Sequence, residues 1–208
     1  RTHSGNQAGP RRCGCVRRRL IVSALVAGQV SVDPAEFTQV EYDANEIASI
    51  VTSLAETLGV SNSISLVVDE TTPLTKITCS IDAPSSDATI VIDAMSGAIE
   101  NTKQLTTLGV KQTQTSVGRM LLRARDRMRA DFADVGADDE LTLAESAAWD
   151  TYCAGRLARA GIEMNTQRWR YNHRNRFGFS DAGDADFDRL WAADGLSWSE
   201  VVAGIAAD

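Results

Sequence analysis

Lysine is nearly missing from this chain: Lys76, Lys103 and Lys111 stand against 18 arginines. Histidine is scarcer still, and His173 is the only one beyond His3. A single body histidine cannot supply a histidine-rich zinc site or an HExxH helix. Of four cysteines, Cys13 and Cys15 precede the body. Cys79 alternates with Ile77 and Ile81, and Cys153 lies in an apolar helical stretch, so both read as small core residues rather than a disulfide framework. A Cys79/Cys153/His173 metal site lacks any CxxC spacing, and neither metal nor cofactor is expected. No apolar run reaches the roughly 18 residues of a membrane span, and repeats and low-complexity tracts are absent. The chain carries no GxxxxGK[ST], GxGxxG or GxSxG run, so the common phosphate loops and the nucleophile elbow are missing. Nothing in the spacing designates a catalytic constellation.

What remains is an ordinary globular composition, 43% hydrophobic and 24% charged, which excludes a disordered or collagen-like chain. The net charge of −7 hides a split. Residues 1–29 hold six arginines and no acid, so residues 30–208 carry 15 basic against 28 acidic side chains. So acidic a body disfavours general nucleic-acid and anionic-membrane binding. Residues 1–29 read as a basic leader and residues 30–208 as one domain. The leader has two readings. One is a signal peptide with an apolar stretch over 20–28, which would export the protein. The other, which is favoured, is translated upstream sequence with a start at Val30, which together with the cysteine usage points to a cytoplasmic protein.

The body reads as α+β: one helix, a small three-stranded antiparallel β-meander, and a mainly helical C-terminal half. Asp43 can cap a helix over 44–58 that stops at Gly59. Alternating apolar residues mark strands over 63–69, 75–82 and 87–94, and the short links between them favour a meander. Residues 95–113 are ambiguous, with a short helix near 98–107. Helical spacing follows over 116–133, and Thr142-Leu143-Ala144-Glu145 is a capping box for a helix ending at Gly161. Ser180 and Ser197 can cap two more.

Two acidic stretches imitate calcium loops. Asp134–Glu145 has EF-hand length, yet Asp139 replaces the glycine needed for the sharp turn, so a solvated acidic linker is the better reading. Asp184, Asp186 and Asp188 alternate similarly, but they read as first-turn residues that favour a helix dipole.

The most informative segment is Gln167–Phe179, with four arginines and four aromatics in an acidic body. As strand or helix it can bury aromatics while its arginines face acids. Arg170, Arg174 and Arg176, beside Tyr171 and His173, are the candidate ligand-binding residues for a small anion or nucleotide. The competing reading is internal ion pairing. Asp150 falls inside the apolar face of its helix and needs a partner, which an arginine from 168–176 can supply. Arg119, Arg123 and Arg127 form an i, i+4 column, read as a solvated face.

The segments Gly118–Arg123, Ala148–Tyr152 and Arg174–Phe179 give the chain, over about residues 33–205, a resemblance to an uncharacterised family of actinobacterial proteins. The arginine-over-lysine bias agrees with such a GC-rich source. The resemblance carries over no catalytic residue. Two expectations of function follow. The first is a non-catalytic accessory protein that acts through a partner or self-association, using the C-terminal helices with Trp191 and Trp198. The alternative is small-anion or nucleotide binding, with or without catalysis, through the arginine/aromatic segment.

Overall fold

In a computed structural model, residues 28–85 and 87–205 are described. The basic leader expected over 1–29 lies outside them except for Gly28 and Gln29. The elements run β1 (Val30–Asp33), α1 (Ala44–Leu58), β2 (Ile64–Asp69), β3 (Ile77–Ile81), β4 (Ile90–Met95), α2 (Val110–Arg127), α3 (Leu143–Arg159), α4 (Thr166–Phe177), α5 (Asp181–Ala192) and α6 (Trp198–Val201). Short 3₁₀ turns occupy Ser96–Ala98 and Ala130–Phe132.

The sheet is mixed, in the order β1-β2-β4-β3. β1 pairs parallel with β2, and β2 parallel with β4, while β3 runs antiparallel along β4. The three-stranded antiparallel meander is therefore corrected to a four-stranded mixed sheet within an α+β protein. Two physical reasons account for the difference. β1 is four residues long, too short for an alternation to stand out. The link 70–76, though short, can extend over roughly 23 Å, more than the roughly 10 Å needed to step across β4 and place β3 outside it. β4 takes the inner place because Ile90, Ile92 and Ala94 are buried and both its edges find partners.

Local signals set the helix ends. The Asp43 carboxylate accepts from Asn45 N–H at 2.8 Å, and Gly59 closes α1 in the left-handed region at φ 66°. Thr142 and Glu145 form the reciprocal capping box of α3. Helix α2 starts at Val110 rather than near 116 and ends at Arg127, with Phe132 in the 3₁₀ turn beyond it.

Helices α1 and α2 cover one sheet face, burying Ile64, Leu66, Val68, Cys79, Ile90 and Ile92 against Ile47, Val51, Leu54, Val117 and Leu121. Helix α3 packs on α2, and α4, α5 and α6 pack on α3. At Gly155 the contact between α3 and α5 admits no side chain, because a Cβ there would collide with the Trp191 carbonyl. Among the described residues no helix is long and apolar enough to cross a membrane.

Candidate functional site

Helices α2, α3 and α4 enclose a cleft of about 520 Å³. Its walls are polar. Lys111, Arg119 and Arg168 supply three cations, Asp150 and Glu163 two carboxylates, and Trp169 an aromatic face. Helix α4 brings Arg168 and Trp169 because Asn165 caps it, accepting from Arg168 N–H at 3.0 Å. Lys111 and Glu163 pair across the mouth at 2.6 Å, both about three-quarters exposed. Such a pair adds little stability and yields readily to a ligand.

Arg119 is the deeper cation. Its Nη1 pairs with Asp150, its Nε donates to the Thr115 carbonyl at 3.3 Å, and its guanidinium carbon sits 5.5 Å from the centre of the Trp169 ring. Its Nη2 has no acceptor among the described residues. Arg168 makes no ion pair among them and stands exposed at the rim.

Behind the cleft runs a chain of alternating charge. Arg123 shares Asp150 with Arg119, at 2.8 Å, and reaches Asp138 at 2.9 Å; Arg127 meets the same Asp138 oxygen at 2.9 Å. The second Asp138 oxygen accepts from Cys79 N–H at 2.7 Å and so blunts the free edge of β3. Burial pushes the Asp138 pKa up, but Arg123, Arg127 and the Cys79 N–H together hold it below the usual carboxylate range. Arg123 and Arg127 also lie over the Trp149 ring, 4.9 and 4.7 Å from its centre. The solvated face expected for the Arg119/Arg123/Arg127 column is thus corrected, while the 134–145 linker is largely exposed as expected except that the Asp138 side chain turns inward. Arg123 and Asp138 are each only 4% exposed because each supplies the other's counter-charge.

A second buried unit lies deeper. Arg156 grips Asp126 end-on with both Nη groups, at 2.7 and 2.5 Å, and Trp149 Nε1–H donates to the same carboxylate at 2.9 Å. Sequence reading missed this pair because α2 and α3 meet only in three dimensions. Asp126 to Trp149 and Arg156 spans 23 and 30 residues.

The segment 167–179 forms α4 through Phe177 and turns Arg170 and Arg174 toward α5. Arg170 pairs with Asp188 and approaches Asp184 at 3.7 Å; Arg174 forks onto Asp184 at 2.6 and 2.5 Å and holds its pKa below the ordinary range. Of Asp184, Asp186 and Asp188, only Asp184 falls in the first turn of α5; Asp184 and Asp188 pair with arginines of α4, and Asp186 lies between His173 and Arg189 of its own helix. Arg176 and Tyr171 are exposed, away from the cleft lining. His173 is buried at the cleft floor, stacked on Phe177 with ring centres 4.3 Å apart. Its Nδ1 lies 3.3 Å from Thr151 Oγ1, which donates to the Ala147 carbonyl, and its Nε2 lies 3.3 Å from Asp186. It ties α3, α4 and α5 together. Of the five candidate residues, only His173 lines the cleft. The partners of Asp150 come from α2, not from 168–176. Trp198 packs against Phe132 and Trp149, and Trp191 stacks on Phe187, each half-buried.

Among the described residues no group of three or more His, Cys, Asp or Glu side chains is placed to hold a metal ion. The fold and the cleft define a mixed sheet layered with helices, carrying a ligand-sized polar cleft on its helical side. Comparison of the chain with protein-family models, curated proteins and solved structures finds no match.

Proposed function

We propose that the protein binds a small organic anion with a flat apolar part in the cleft between α2, α3 and α4. One observation carries this reading: Arg119, Arg168 and Trp169 line a single cleft of about 520 Å³, and the charge of Asp150 is already divided between Arg119 and Arg123. Cations therefore outnumber carboxylates in the lining of a strongly acidic protein. Planar guanidiniums match the two oxygens of a carboxylate or those of a phosphate ester. The ring of Trp169 gives the ligand's apolar part a surface. A thermal-shift screen of aromatic and aliphatic carboxylates and phosphate monoesters at low salt tests the reading. A saturable rise that disappears in Arg168→Ala, with basal stability unchanged, supports it. A panel that leaves the melting temperature unmoved rejects it.

Protein association has its own support in the Tyr171–Phe179 pair. These rings meet edge to face at 5.9 Å and are 57% and 66% exposed. A docking surface anchored there predicts self-association or partner capture that Tyr171→Ser/Phe179→Ser abolishes. Sedimentation that shows a monomer with no partner retained counts against it.

A further inference from the structure

Further along α2, a second cavity of about 240 Å³ opens beside the C-terminal ends of α1 and α3 and the segment after α5. Three guanidiniums line it, Arg125, Arg156 and Arg159, against one carboxylate, Asp194. Each arginine is partly engaged. Arg125 donates Nη1 to the Leu58 carbonyl at 2.9 Å, and Arg159 donates both Nη groups to the Trp191 and Ala193 carbonyls. These bonds offset the negative ends of α1 and α5, which would otherwise repel an anion. Arg156 spends both Nη groups on Asp126. Its Nε–H, in a side chain 5% exposed, is closed to solvent and has no acceptor among the described residues. Arg125 Nε and Nη2 and Arg159 Nε also lack acceptors among the described residues. The free N–H groups of Arg125 and Arg159, whose side chains line the cavity and are held by these carbonyl bonds, offer charge-assisted donors to a group that supplies oxygens here.

We propose that this cavity is a binding site for phosphate, free or as a monoester, distinct from the cleft. A tetrahedral oxyanion presents at least three oxygens to the free Arg125 Nε, Arg125 Nη2 and Arg159 Nε donors, whereas a carboxylate presents two. Asp194 opposes the anion and sets its affinity.

Calorimetry and ³¹P NMR on the full chain at low salt, with inorganic phosphate, glycerol phosphate and acetate, test the assignment. Saturable binding of either phosphate probe, with acetate at least about tenfold weaker, is expected from the loss of one charge-assisted contact. Preference for inorganic phosphate identifies the free ion, and preference for glycerol phosphate a monoester. Arg125→Ala/Arg159→Ala should weaken inorganic-phosphate binding by roughly tenfold or more, and Arg168→Ala, in the cleft that requires a flat apolar part, should leave inorganic-phosphate binding unchanged. Asp194→Asn should tighten binding several-fold while every arginine stays in place, which keeps the test decisive if the double variant does not fold. Equal binding of acetate and phosphate overturns the proposal. So does phosphate affinity indifferent to Asp194→Asn, or lost in Arg168→Ala.

Discussion

Replacing Asp126 by alanine removes the counter-charge of Arg156 and the acceptor of Trp149 in one step. Both ionic partners are almost wholly buried, with Asp126 1% and Arg156 5% exposed. Breaking a buried pair from one side costs about 3–5 kcal/mol, because the remaining charge is left in a poor solvent. The orphaned indole N–H adds about 1–3 kcal/mol. The two losses share one carboxylate and do not add fully, so the expected destabilisation is about 4–6 kcal/mol. For a chain of this size that lowers the melting temperature by roughly 8–24 °C. Urea and thermal unfolding followed by far-ultraviolet circular dichroism measure it. The companion variant Asp126→Leu/Arg156→Met replaces the pair with apolar groups of similar volume and should recover at least half of the loss. A single variant that loses less than about 1 kcal/mol, the range of exposed pairs, refutes the reasoning. So does a double variant as unstable as the single one.

Acid unfolding should register Asp138. Its folded pKa is depressed, so its stabilisation is complete above the ordinary carboxylate range and fades as pH falls below about 4. Asp138→Asn should be less stable at pH 7 and should show a flatter acid limb when urea midpoints are plotted against pH; parallel curves contradict this. Burial raises the Cys153 thiol to about 11 and pushes Cys79 up as well. Native protein at pH 8 should leave both unalkylated in peptide-resolved mass spectrometry, and urea should expose both. Gly155→Ala places a methyl group against the Trp191 carbonyl and should cost about 1–3 kcal/mol or more by denaturant titration, as α5 is forced off α3.

Features encoded within a few residues were legible in the sequence. The Asp43 and Thr142 caps, the Gly59 stop and the alternations at Ile64–Val68 and Ala88–Ile92 rest on neighbours; the structure forms the caps and the stop and buries the alternating residues as read. Strand order was not legible, because it depends on β4 entering between β2 and β3 across a link long enough for either topology. The Arg119/Arg123/Arg127 column looked solvated because its counter-charges, Asp138 and Asp150, arrive from the following linker and helix. Asp150 did signal itself: a carboxylate on an apolar helix face needs a cation. The helical wheel could not say which helix supplies it. The cleft was the least legible feature, since its lining is drawn from three helices and only Arg168, Trp169, Asn172 and His173 fall in the arginine/aromatic segment.

The most direct test of the cleft is a ¹H–¹⁵N NMR titration of the full chain with benzoate and phenyl phosphate, resolving arginine Nε–H and tryptophan indole signals. The account predicts saturable shifts concentrated on Arg119, Arg168 and Trp169, abolished by Arg168→Ala. Shifts confined to Arg170, Arg174 and Arg176, or a spectrum unmoved by either anion, would contradict it.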